Sequence, residues 1–360
     1  MPAIEQYFPH DYREARHAFI AAAEASDLGV TSRLHPAQMG ADGKPLFLDT
    51  TIIGDRDAKT ALLLISGTHG VEGYFGSGVQ TGLLREGLAQ RTAKGTKIVL
   101  LHALNPFGFS WDRRVNEDNA DINRNFADFR NPPKNKAYDE LADAIALSDL
   151  SKETMKAANA RLRAYSDKHG AFKLQEAIST GQYHHPGGIY FGGARESWSH
   201  RMLQDVFREE LKGVKKLIAI DFHTGLGEHG AAEMITEDLP GNAAYARAKA
   251  MWGETLQSSE AGESVSPPLQ GTVDKAVAHW MKDKELTFAA LEVGTRSTRD
   301  VFNALRRDNW LHLNAKPNDP EWARVKQEIR DAFYPDTAEW KRSVWGHATK
   351  AVDSALAAIA

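Results

Sequence analysis

The sequence predicts one large α/β domain with additions. Two observations carry that reading. The apolar runs ALLLI at 61–65, KIVLL at 97–101 and LIAI at 217–220 have the length of buried strands and are too short for helices. Between the first two lies GYFGSGVQTGLLREGLA, a segment with helical character, and strand, helix, strand at this separation builds a parallel βαβ unit. With 360 residues, 42% of them hydrophobic, the chain has ample material for a large buried core.

The elements follow in order. Residues 11–27 (DYREARHAFIAAAEASD) combine helical spacing with good helix formers and predict an N-terminal helix lying on the domain. PLFLDTTIIG and TALLLISG read as strands, GYFGSGVQTGLLREGLA as a helix, and KIVLLHAL as a third strand. From about 130 to 213 the texture changes: Pro132-Pro133, a Lys/Asp/Glu/Ala-rich stretch, then GQYHHPGGIYFGGARESW, dense in glycine and aromatic residues. This block predicts a helical insertion that ends in an ordered loop. The core resumes with VKKLIAIDFHTG and continues through AAEMIT and LTFAALEVG as strands. The last part, about 298–358, predicts helices packed around the sheet. No internal repeat or heptad pattern occurs.

Composition removes several classes of function. A net charge of -4 provides no basic field to hold nucleic acid or an anionic membrane. With no cysteine there is no disulfide, thiolate metal site or cysteine nucleophile, so 14 histidines and 48 carboxylates must supply any site. No run of 18 apolar residues occurs, and the charged N-terminus lacks the pattern of a secretory leader. The expectation is a soluble, cytoplasmic protein acting on a small, mostly neutral molecule or a peptide.

Functional groups in parallel α/β sheets gather beyond the C-terminal ends of the strands. Here TALLLISG runs into His69 and Glu72, KLIAIDFHTG ends in Asp221 and His223, and TFAALEVG ends in Glu292. His69 and Glu72 lie three residues apart, so one turn of backbone points both at one zinc or other divalent ion. Alone, that pair reads as a surface turn. His223 is the third ligand that makes a site of it, and three protein ligands leave a position open for water, as in catalytic zinc centres. Glu292 is placed as the base, with a cap or salt-bridge partner as its plainer role. In NPFGFSWDRRVNEDNADINRNF, Arg114, Asn123 and Arg124 suit a carbonyl oxygen and a carboxylate near the metal, because guanidinium donates two parallel hydrogen bonds.

The blocks HGVE, RVNEDNADINRNF, DFHTG, GTVD and LEVG, in this order between about residues 60 and 295, resemble the zinc carboxypeptidases of carboxypeptidase A type. Within them the chain is most similar to an uncharacterised bacterial-type branch related to aspartoacylase-like deacylases. The resemblance implies a single domain over 1–360 with a central mixed, mostly parallel twisted sheet flanked by helices, the insertion lying outside the family core. It implies one zinc ion held by His69, Glu72 and His223, Glu292 as general base and acid, and Arg114 polarising the scissile carbonyl. Asn123 and Arg124 would bind the substrate's free carboxylate, and Asp121 would orient the first zinc histidine. The substrate would be a small peptide or an N-acyl amino acid.

The chain departs from the pattern in one place. The family carries a tyrosine eight residues before the Asp of its Gly-Ser/Thr-x-Asp block, and counting back from Asp274 gives Ser266. Tyr183, His184, His185 and Tyr190 of the insertion are candidates to replace it, with ordinary packing as the alternative. Val273, within the same block, predicts a pocket for an apolar side chain. Gly225-x-Gly227-x-x-Gly230 matches a dinucleotide-binding turn, but AAEMIT behind it reads as a strand where that motif needs a helix. No Gly-x-Ser-x-Gly elbow of a serine hydrolase is present. A non-catalytic binding protein would be expected to lose a ligand or the base, and none is lost.

Overall fold

The apolar runs form the parallel centre of a single sheet. A computed structural model describes residues 3–360 and contains eight strands. They are β1 (Val30–Met39), β2 (Pro45–Gly54), β3 (Thr60–Ile65), β4 (Thr96–His102), β5 (Lys216–Thr224), β6 (Ala232–Thr236), β7 (Leu256–Ser258) and β8 (Glu285–Val293). Their order is β1-β2-β4-β3-β5-β8-β6-β7. β4, β3, β5 and β8 pair in parallel, while β1–β2, β2–β4 and β6–β8 are antiparallel and β6–β7 is parallel. The sheet is therefore mixed and mostly parallel, and β3, the helix Gly73–Arg85 and β4 make the predicted βαβ unit.

Both faces of the central strands are covered, which is why they read as unbroken apolar runs. Side chains alternate between faces along a strand. Leu62, Leu64, Ile98, Leu100, Ile218 and Ile220 pack with the helices Tyr12–Glu24, Gly73–Arg85 and Ala338–Ile359. Their neighbours Ala61, Leu63, Val99, Leu101, Leu217 and Ala219 pack on the opposite face with the helices Trp198–Glu209 and Val273–Trp280.

The segment expected as one helical insertion at 130–213 divides. Lys136–Ile145, Lys152–His169 and Ala171–Ser179 form a third apolar cluster with the C-terminal helices Thr298–Asn314 and Trp322–Phe333. Trp198–Glu209 instead belongs to the sheet, through Trp198, Leu203 and Val206. The three-helix block and the C-terminal pair stand together beside the strand ends where the ionisable residues lie.

Candidate metal centre and active site

Strand register brings the predicted residues to one place. β3 and β5 pair Ile65 with Asp221, and β5 and β8 pair His223 with Glu292, so these residues sit side by side at the ends of parallel strands. Past Ile65 the chain turns through Gly67, whose φ of 69° suits glycine. Gly70 permits a different feature: a Cβ there would overlap the Gly108–Phe109 peptide. This close approach lets the amides of Gly70 and Val71 donate to the carbonyls of Arg114 (3.2 Å) and Arg113 (2.8 Å). Val71, between His69 and Glu72, is fully buried in the third cluster, so the turn is clamped from both sides.

His69, Glu72 and His223 are all buried and offer ligand atoms within 4.8 Å of one another. His69 Nε2 is 3.1 Å from Asp121 Oδ1, and His223 Nε2 is 2.8 Å from Asp221 Oδ2. A carboxylate only accepts, so each Nε2 carries a proton and each Nδ1 faces inward. The two Nδ1 atoms lie 3.2 Å apart, at 2.8 Å and 3.0 Å from the two Glu72 oxygens. Three donor atoms thus converge on a point that only protons or a cation can neutralise. Burial would lower the His223 pKa, but Asp221 and Glu72 outweigh it and push it well above the usual imidazole value. Burial would raise the Glu72 carboxyl, but His69 and His223 hold it below the ordinary carboxylate range. The donor set of two imidazoles and a carboxylate fits a divalent ion such as zinc, with both histidines oriented by carboxylates behind them.

Charged groups surround this point. Arg114 donates from Nε to Asp121 Oδ2 at 2.9 Å and from Nη1 to Glu72 Oε1 at 3.2 Å. Glu292, half-buried, accepts at 2.9 Å from the Leu226 amide, and burial together with the nearby Glu72 charge pushes its pKa up to about 8. A carboxyl poised so high takes and returns protons near neutral pH. Arg124, 2% exposed, donates hydrogen bonds to the carbonyls of Ser179 and Asn123, and among the described residues no carboxylate forms an ion pair with it. Asn123 accepts from the Val273 amide at 2.9 Å through Oδ1, and among the described residues its side-chain NH2 makes no hydrogen bond.

A cavity of about 570 Å³ joins these groups, lined by His69, Arg114, Asn123, Arg124, His223, Val273 and Glu292 among others. Glu72 and Asp121 lie behind it as buried supports. Of the four insertion residues singled out in the sequence, only Tyr190 lines this cavity. Its ring lies 5.1 Å from the Arg114 guanidinium and 5.6 Å from that of Arg124, and its φ is 55°, a left-handed conformation uncommon for tyrosine. Tyr183 instead donates to the Arg124 carbonyl, His185 meets Asp139, and His184 is exposed.

Two findings modify the sequence reading. Val273 does line the cavity, but Glu237 and Asp274 line it as well, so this wall is acidic where an apolar pocket was expected. Burial and the neighbouring Asp274 push Glu237 up to about 8, and the Lys275 ammonium lies 3.0 Å from it. Glu237 was hidden because it follows β6, which is antiparallel to β8 and escapes a rule about parallel strand ends. Asp221, by contrast, was legible as the residue two before His223, on the same face of a strand. The Gly225-x-Gly227-x-x-Gly230 turn leads into β6, as its sequence predicts, with no helix behind it.

No curated protein sequence matches this chain. Among solved structures it is similar to a metallo-carboxypeptidase from Burkholderia cenocepacia, with a TM-score of 0.45 and 12% identity over 96% of this chain and 70% of that one. It is also similar to a metallo-carboxypeptidase from Pseudomonas aeruginosa, with a TM-score of 0.43 and 15% identity over 94% and 71% of the two chains. A third is the ectoine utilization protein EutE from Ruegeria pomeroyi, with a TM-score of 0.39 and 16% identity over 79% and 67%. A family model described as "Protein of unknown function (DUF2817)" matches residues 8–347. The chain belongs to that DUF2817 family.

Proposed function

We propose that this protein is a zinc-dependent hydrolase that cleaves an amide bond next to a free carboxylate, in the manner of a metallocarboxypeptidase or of an N-acyl amino acid deacylase. The observation that carries the reading is the convergence of His69 Nδ1, His223 Nδ1 and the Glu72 carboxylate beside Glu292, in a cavity that also presents Arg114 and Arg124. His69, Glu72 and His223 would hold the ion. When bound, it supplies Lewis acidity toward a carbonyl and lowers the pKa of water.

The chain's own residues supply the remaining parts. Glu292 takes a proton from the attacking water and returns it to the departing amine, a task suited to a carboxyl raised toward neutrality. Arg114 stabilises negative charge developing on the carbonyl oxygen, and Asp121 holds that guanidinium in place through Nε. Arg124 and the free amide of Asn123 bind the substrate carboxylate. A guanidinium buried without a carboxylate partner gains most from an anionic ligand, because its desolvation has already occurred on folding. Nothing in the site calls for nucleic acid. Among the described residues no helix is long and apolar enough to cross a membrane.

Dipeptides and N-acyl amino acids, each with and without a chelator, test the proposal. The expected result is hydrolysis that stops on chelation and returns with zinc, and that requires the free carboxylate. Turnover insensitive to chelation would refute it.

A further inference from the structure

Where Lys152–His169 and Thr298–Asn314 line the cavity, their polar groups are of one kind. The first helix contributes Asn159 and Arg163, spaced i to i+4 and so on one face. The second contributes Arg299 and Asn303 at the same spacing, with Thr298 beside them. No carboxylate lines the cavity from either helix, and among the described residues neither Arg163 nor Arg299 forms an ion pair.

Arg306 stands behind this face. It is fully buried, its guanidinium lies 5.0 Å from the Phe302 ring, and among the described residues no carboxylate pairs with it. Burial and the nearby Arg307 charge lower its pKa to about 10, so it stays a cation at neutral pH. Its Nη1 donates to Asn159 Oδ1 at 2.8 Å and reaches Asn303 Oδ1 at 3.5 Å, which links the two helices. Nε and Nη2 have no partner among the described residues. A buried cation left so is costly, and an anion close by relieves that cost.

The two asparagines pass this charge on to the cavity. A carboxamide whose oxygen is occupied has its NH2 left to offer, and among the described residues neither Asn159 nor Asn303 uses that group. The helices therefore present two guanidinium groups, two amide NH2 groups and a hydroxyl able to donate. Donors without a carboxylate among them suit a ligand that only accepts, which an ammonium cannot be and an oxyanion is. Arg124 belongs to another part of the lining, tied to the Ser179 carbonyl and set against Tyr190.

We propose that the gap between Lys152–His169 and Thr298–Asn314 is a second anion site, binding a carboxylate or phosphate group through Arg163 and Arg299, with Arg306 positioning Asn159 and Asn303. That group belongs either to a doubly anionic substrate, which rests on the hydrolytic reading above, or to a free anion. The chemistry recognised is the same.

Calorimetric titration of the metal-free protein with inorganic phosphate tests the site without turnover. Saturable binding is expected, weakened about tenfold by Arg163→Gln with Arg299→Gln and retained in Arg124→Gln. Both arginines are exposed, so the double substitution leaves the fold intact. Arg306→Met should also weaken binding and Arg306→Lys, which keeps the cation, should restore part of it. No phosphate binding, or binding equally tight in the wild type and the double variant, would overturn the proposal. With zinc, hydrolysis identifies the source. For a substrate-borne anion, the double variant raises KM for N-acetylglutamate more than for N-acetylglycine. For a free anion, phosphate changes KM for N-acetylglycine in the wild type and not in the double variant. Phosphate binding that depends on Arg163 and Arg299, without turnover of any substrate, would keep the site and sink the hydrolytic reading.

Discussion

At the scale of single residues, the site works by committing protons. Asp121 and Asp221 each fix one histidine through Nε2, and Thr68 donates to both Asp221 oxygens at 2.9 Å, so Asp221 is itself held. Losing a carboxylate behind a metal-binding histidine typically costs ~10- to 100-fold in metal affinity. Asp221→Asn is therefore expected to weaken zinc binding by about that factor while leaving the fold intact, as read by competition with a chromophoric chelator. An unchanged affinity would show that His223 needs no such orientation. Tyr190 shows the limit of reading residues from sequence. Its role at the cavity depends on a strained backbone in a loop pinned to the core, where the Asp121 amide donates to the Phe191 carbonyl at 2.7 Å and the Gln182 amide to that of Tyr190 at 3.1 Å. No pattern in GQYHHPGGIYFGGARESW distinguishes it from Tyr183.

At the scale of elements, legibility followed burial. β3, β4, β5 and β8 are covered on both faces and announce themselves as apolar runs. β1 did not, because VTSRLHPAQM is largely exposed, carries Pro36 and breaks register between Leu34 and Met39, as an edge strand can. β7 has three residues and no pattern to read. Trp198–Glu209 lies directly behind the glycine-rich loop, and only its contacts reveal that it belongs to the sheet. The third cluster is the element-scale claim with the most consequence, because it packs Val71 of the metal turn against the insertion and the C-terminal helices. Ile329 is fully buried there. Ile329→Ala should destabilise the protein by ~2–5 kcal/mol in urea unfolding, and a cost under about 1 kcal/mol would mean that the cluster contributes little.

At the scale of the whole molecule, the fold concentrates raised carboxyls in one cavity and makes stability depend on pH and metal together. Burial and a neighbouring carboxylate push Glu292 and Glu237 to about 8, against 4.5 ordinarily. A carboxyl whose pKa is higher in the folded state stabilises fully below its unfolded value and loses that contribution as pH rises through the folded one. The metal-free protein should accordingly fall in Tm between pH 5.5 and 8.5. Glu292→Gln should flatten that fall, and parallel curves would contradict the environment assigned to Glu292. The spacing of His69, Glu72, His223 and Glu292 at strand ends was readable because a parallel sheet gathers such ends, whereas the acidic wall arises from segments whose meeting no local pattern encodes.

The central claim is that the ends of the central parallel strands hold a metal ion which Glu292 serves but does not bind. Zinc content after exhaustive dialysis tests it most directly, measured on the wild-type protein, His223→Ala and Glu292→Gln. The expected result is one equivalent in the wild type, loss in His223→Ala, and full retention in Glu292→Gln alongside abolished turnover. Wild-type protein without stoichiometric zinc or affinity for it, or Glu292→Gln that loses the ion, would contradict the account.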